Sequence, residues 1–151
     1  MAVQKHKLAN NEKSPFTHVA VFDYTDIDAN LGSSNQVTIA QIPAGGAVAL
    51  CYVYEETAMA TTADDYTLDV GTTSGDPDEF INALDVPGTS APTYNQGESF
   101  EASNAEGTCP VGATNTATDV LVEWNGSGDL TAGRVVIALQ ILDPRGVSIA
   151  P

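Results

Sequence analysis

The sequence predicts an all-β chain: an antiparallel β-sandwich or jelly roll with an extended N-terminal arm. Three observations lead there. Short runs of alternating apolar and polar residues recur along the chain, and strand side chains repeat with period 2. Clusters of Gly, Pro, Asn, Asp, Ser and Thr separate these runs as turns do. No amphipathic helix of useful length intervenes, and many short strands find their packing partner in a second sheet. A length of 151 residues suits one domain with a real core.

Residues 1–17 are polar and aperiodic, and are expected to form the arm. Ordered structure is expected from His18, and residues 18–151 are assigned to the sandwich domain. The first strand is His18 to Tyr24. Gln36 to Ile42 alternates, with Val37 and Ile39 on one face, and stops at Pro43. The turn Pro43-Ala44-Gly45-Gly46 feeds a long run from Ala47 to about Thr57, whose Val48, Leu50, Tyr52 and Tyr54 share the expected inner face. Tyr66 to Val70 alternates cleanly, with Leu68 and Val70 inward, and ends at Gly71. From Asp76 to Leu84 the pattern suits a short helix or turn, with Asp76 as N-cap, Pro77 at the first helical position and Asp78 and Glu79 at the positive end of the dipole. A loop-rich stretch from Asp85 to Ala117 holds weak strands near Ser99 to Ala102. Two strong strands follow, divided by the turn Asn125 to Gly128. Val120, Val122 and Trp124 face inward on one, and Val135, Ile137, Leu139 and Ile141 on the other.

Charge narrows the functions. Five Lys and Arg stand against 20 Asp and Glu, a net charge of -15. Nucleic-acid binders present a basic face, which this body does not supply, and an anionic membrane surface is equally unsuited. No apolar stretch approaches the ~18 residues of a membrane span, and no secretory signal is read at the N-terminus. The charge is uneven. Lys5, Lys7 and Lys13 lie in the arm with only Glu12 opposing them, whereas the remainder carries Arg134 and Arg145 against 19 acids. A solvated terminus accounts for this arm, as does an arm lying on an acidic neighbour such as another copy of the chain. A salty habitat would screen so acidic a body.

Catalytic constellations are weak. The two histidines, His6 and His18, fall in the arm or at its edge, poor ground for a His-assisted nucleophile. No Gly-rich phosphate loop is followed by Lys. Asp64-Asp65 and Glu55-Glu56 resemble paired carboxylates but suit a charged loop or sheet rim better. Asp26, Asp28 and Asn30 alternate as in a calcium loop. An EF-hand would also need Gly at Leu31 and Glu at Val37, so an Asx-rich turn is the simpler account. Cys51 and Cys109 form neither a disulfide framework nor a zinc site. Cys51 is expected as a buried thiol, and a pairing with Cys109 is left open. Tyr52, Tyr54, Tyr94 and Trp124 are candidate sugar platforms, although three of them lie on faces assigned to the core. No enzyme activity, cofactor or metal is expected.

The order of segments carries a further signal. Tyr24-Thr25-Asp26-Ile27 precedes Gln36-Val37-Thr38-Ile39 and Ile42-Pro43-Ala44-Gly45. Val53-Tyr54-Glu55-Glu56-Thr57-Ala58-Met59 and Leu68-Asp69-Val70-Gly71-Thr72 follow. Gly75-Asp76-Pro77-Asp78-Glu79-Phe80-Ile81, Asp85-Val86 and Leu130-Thr131-Ala132-Gly133-Arg134-Val135 complete the succession. It resembles small virion proteins of tailed bacteriophages and related tailed viruses, which act as capsid decoration (cement) proteins or with fibres. The resemblance implies a clamp on the outer capsid surface of the virion. Its partners would be the major capsid protein and sister copies, in a symmetric oligomer, often a trimer. It implies that the arm lies on the shell or a sister subunit through Lys5, Lys7, Leu8, Lys13 and Phe16. The runner-up is a tail or fibre-associated protein meeting the host surface, and a carbohydrate-binding module comes third.

Overall fold

Alternating side chains become two antiparallel sheets packed face to face. A computed structural model describes residues 4–7, 16–30, 36–62, 66–75, 77–86, 94–96, 111–112, 116–126, 129–143 and 145. The chain order is β1 (Gln4–Lys7), β2 (His18–Asp23), α1 (Tyr24–Asn30), β3 (Gln36–Ile42), β4 (Ala47–Thr61) and β5 (Thr67–Gly71). Then come β6 (Ile81–Asp85), β7 (Tyr94–Gln96), β8 (Val111–Gly112), β9 (Thr118–Asn125) and β10 (Leu130–Leu142). Sheet A has the order β1-β2-β10-β4-β7, with β8 also on β4, and sheet B has the order β3-β9-β5-β6. The expected weak strands at Ser99 to Ala102 lie outside the described residues.

The core lies between the sheets. Val48, Leu68, Val70, Val120, Val122, Trp124, Val135, Ile137 and Leu139 are buried as expected, and so is Ile39. Val37 is only partly buried but packs against the core. Trp124 of sheet B meets Phe22 of sheet A edge to face, with centroids 5.7 Å apart at 66°. That aromatic pair fixes sheet against sheet, and contributes about 0.5–1.5 kcal/mol beyond area burial.

Strand β4 departs from the expected phase. Its partners on β10 run Gln140↔Leu50 and then Ile141↔Val48, so Ala49 is an extra residue. A bulge of this kind shifts the alternation by one. Val48 stays inside, but beyond Ala49 the buried residues are Cys51, Val53 and Glu55, not Leu50, Tyr52 and Tyr54. Further shifts fall near Arg134 and Ala132. There Gly133 adopts φ 130°, and a Cβ on it would stand 2.7 Å from Met59 Cα, so glycine is required.

Two local expectations are corrected. The Asx-turn segment at Asp26 is a short helix, α1, in which Asp26 Oδ2 accepts the Asp23 amide at 3.2 Å. This is the back-reaching half of a capping box, and it seats Ile27 in the core. Residues 77–84, expected as a short helix or turn, hold no helix and end in β6, which pairs with β5; Asp76, the expected N-cap, lies outside the described residues. Glu79, read as a helix-start acid, instead accepts hydrogen bonds from the Thr72 amide at 2.6 Å and from the Thr73 hydroxyl. Those bonds close the turn after Gly71, and β5–β6 pairing follows. Burial pushes the Glu79 carboxyl up, but these bonds outweigh it and hold it below its usual value.

Opposite Asp69, β6 is bulged, with Leu68↔Leu84 and Val70↔Ile81 flanking the irregularity. Ala83 there has φ 47°, a strained conformation for a residue with a Cβ. The Asp69 carboxylate accepts the Ala83 amide and, at 2.8 Å, the Asn125 side-chain amide. Replacing Asp69 with Ala strands both donors. Asp69→Ala is expected to lose about 1–3 kcal/mol, seen as a lower urea midpoint at unchanged slope. An unchanged midpoint would mean that the carboxylate does not hold the bulge.

Candidate interaction face

Register decides what sheet A shows to the outside. Across β2, β10 and β4, Val21, Val136 and Tyr54 form one row, and Val19, Ala138 and Tyr52 the next. Gln140 with Leu50 and Leu142 with Ala47 continue the same face. Tyr94 of β7 occupies the register position beside Tyr54. Phe16 packs on Tyr52 with centroids 5.8 Å apart, and Tyr52 meets Tyr54 at 6.0 Å. Val136 and Ala138, in the middle of the face, are only 7% and 5% exposed, while Leu142 at its end is 47% exposed. Leu142 is the exposed large hydrophobic among the described residues. At the opposite end Arg134 Nε lies 2.9 Å from Glu56 and 3.7 Å from Asp23. Half-exposed pairs of this kind contribute little stability and chiefly set polarity.

The outer face of sheet B is the opposite in chemistry. Gln36 donates to Glu123 at 2.5 Å, Gln41 donates to Asp119 at 2.9 Å, and Asp69 and Asn125 are joined as above. Thr38 is exposed, and Leu121 is the apolar side chain among these outward positions. One face of a solvated antiparallel sheet normally reads polar, as sheet B does. Sheet A reads apolar and aromatic on both faces.

The junction of arm and sheet is pinned by Thr17. Its amide donates to the Leu139 carbonyl at 2.8 Å. Its hydroxyl donates to the same carbonyl at 3.2 Å and accepts the Ile141 amide at 2.8 Å, with His18 Nδ1 2.9 Å away. A hydroxyl so committed to β10 is a fastener rather than a nucleophile. Beside it an open cleft of about 450 Å³ is lined by Thr17, His18, Gln41, Pro43, Ile141 and Arg145, among others. Arg145 is engaged by Asp143 through Nε and Nη2 at 2.9 and 3.0 Å.

The arm residues are placed as follows. Lys5 and Lys7 lie in β1, in register with Ala20 and His18, so ordered structure begins earlier than His18. Phe16 is partly buried against Tyr52. Leu8 and Lys13 lie outside the described residues. Of the calcium trio, Asp26 is buried on α1, while the side chains of Asp28 and Asn30 are outside the description. Among the described residues no group of three or more His, Cys, Asp or Glu is placed to hold a metal. Cys51 is free and buried, and burial pushes its thiol far above the usual value. Cys109, Asp64 and Asp65 lie outside the described residues.

Glu55 and Glu56, expected together at a charged rim, part company. Glu56 is exposed beside Arg134, whereas Glu55 is 3% exposed on the inner face of β4. Among the described residues its Oε1 has no hydrogen-bond partner. Burial pushes the Glu55 carboxyl up, the Met59 amide draws it down, and nearby Asp85 adds to the rise.

Among solved structures, the chain is similar in fold to a chain of the "Cyanophage Pam1 capsid asymmetric unit". The TM-score is 0.55 at 17% identity, over 83% of this chain and 82% of that one. Neither a family model nor a curated protein matches the sequence. At this identity the likeness is one of fold.

Glu55 gives this region a pH signature. Its folded carboxyl binds a proton more tightly than in the unfolded chain, so its contribution is fully present below the ordinary glutamate value. That contribution is lost as pH rises through the raised folded value. Glu55→Gln is therefore expected to melt above the wild type at pH 7, with the gain shrinking toward pH 4. A variant less stable at pH 7 would show that the charged carboxylate is needed there.

Proposed function

We propose that this protein is a viral structural protein that decorates and stabilises the outer surface of a tailed-virus capsid as a symmetric oligomer. The observation that carries the reading is the fold likeness to a cyanophage capsid chain across most of both chains. The segment order in the sequence supports it independently, and a jelly-roll winding belongs to the same reading. So does the sharp division between an acidic, hydrogen-bonded outer face on sheet B and an apolar one on sheet A.

Mechanistically such a protein is a clamp. It binds where shell subunits meet, and its binding free energy opposes their separation. No catalytic step is required, and the Thr17 hydroxyl beside His18 is occupied in fastening the chain to β10. The N-terminal arm supplies the charged part of the contact. Lys5 and Lys7 lie in β1, which ends the described strand order of sheet A beside β2.

Replacing Lys5, Lys7 and Lys13 together with Gln keeps the β1–β2 backbone pairing and removes only charge. The triple variant is expected to keep its far-UV spectrum and melting temperature. On decoration-free capsids its occupancy should fall several-fold at low salt and converge on the wild type at high salt, where screening has already silenced the lysines. Equal binding at low salt would reduce the arm to a solvated terminus. Absence of either form from capsids, with labelled protein found on tails, would replace this reading by the tail or fibre one.

A further inference from the structure

We propose that the outer face of sheet A is a self-association interface, and that its occupant is a second copy of this chain. Outward residues of β2, β10 and β4 form a continuous apolar plate from Val21, Val136 and Tyr54, through Ala138 and Tyr52, to Leu142. An antiparallel sheet facing water on one side alternates to polar there, as sheet B does and sheet A does not.

Charge selects the occupant. The chain carries -15 overall, so most ways of bringing two copies together oppose acids to acids. On this plate the charged residues are Arg134, Asp23 and Glu56, one cation against two acids gathered at one end. Two copies meeting here bring together two acids each with a cation between them, whereas sheet B would oppose Asp69, Asp119 and Glu123 to their counterparts.

Size fits a reversible contact. Three strands about 4.8 Å apart, and nine residues at about 3.3 Å each, make a plate of roughly 15 by 30 Å. Two such plates bury on the order of 900 Å², below stable specific interfaces and in the range of weak, transient ones. The oligomer should therefore form at high concentration and dissociate on dilution. This deepens the decoration reading and rests on it only for its place in a virion, so the two are tested apart.

The test is sedimentation of the full chain from about 1 to 100 μM, beside three variants. Val21→Lys puts a charge in the middle of the plate, and Leu142→Glu adds an acid at an exposed position that folding does not need. Thr38→Glu adds the same acid on sheet B as a control. The wild type and Thr38→Glu should rise above monomer mass with concentration. Val21→Lys and Leu142→Glu should stay monomeric or associate at least ~10-fold more weakly, with unchanged far-UV spectra. Should Val21→Lys fail to fold, Leu142→Glu decides. A wild type monomeric at 100 μM overturns the proposal, as does association untouched by Leu142→Glu. If a monomeric wild type binds capsids and Leu142→Glu abolishes that binding, the occupant is the shell and self-association is refuted. If the protein self-associates through the plate but binds no capsid, decoration fails and the interface stands.

Discussion

Pairing of β4 with β10 is the constraint on which the rest depends. β10 runs through the centre of sheet A and is hydrogen-bonded on both sides, to β2 and to β4. Its inward Val135, Ile137 and Leu139 form one wall of the core. Its register with β4 then decides which β4 side chains reach that core. One extra residue, Ala49, sends Cys51, Val53 and Glu55 inward and leaves Tyr52 and Tyr54 outside. Without that bulge the tyrosines would compete with Phe22 and Trp124 for space between the sheets. With it, they join Phe16 in an aromatic file that extends the apolar surface outward. Thr17 depends on the same strand, because its hydroxyl bridges the backbone of Leu139 and Ile141. The root of the arm is thereby fixed beside the outer face.

Much of this was legible in the sequence, where alternation was uninterrupted. β3, β5, β9 and β10 fall within a few residues of their expected bounds because each repeats with period 2 and ends at a turn residue. β4 was found but its phase beyond Val48 was not. A bulge of this kind costs one residue and leaves no compositional mark, so Ala49 looks like any other strand alanine. The Asp-Pro-Asp-Glu stretch misled for a different reason. Its residues suit a helix start, yet the Glu79 carboxylate is drawn back to the amides after Gly71 and closes a turn instead. β1 escaped notice because an edge strand of four polar residues carries no apolar period.

The outer face of sheet A shows the same limit more sharply. Val19, Val21, Tyr52, Tyr54, Val136 and Leu142 are each visible as apolar residues, but nothing local says that they share a surface. Only register across three strands, one of them bulged, brings them together. The sugar-platform hypothesis had set Tyr52 and Tyr54 aside as core residues, and that ground disappears once they point outward. Their rings are nevertheless packed on one another and on Phe16 in a plate lined with Val and Ala, which suits protein packing better than a sugar site needing convergent polar groups.

Magnitudes indicate how the two proposed contacts would divide their work. About 900 Å² of plate at ~25 cal/mol per Å² has a gross value near 20 kcal/mol. The ~4–15 kcal/mol lost to immobilising two bodies, with the ordering of side chains at the contact, offsets most of it. The apolar contact thus sits near balance and responds steeply to concentration, while the acidic body adds a repulsion that salt relieves. Three arm lysines, each contributing no more than about 1 kcal/mol at an exposed site, are too weak to hold a particle together alone. Repeated around the proposed symmetric assembly they would act jointly, since each arm would be tethered beside its target once the plate had formed. Salt would then have opposite effects on the two contacts, strengthening the plate and weakening the arm.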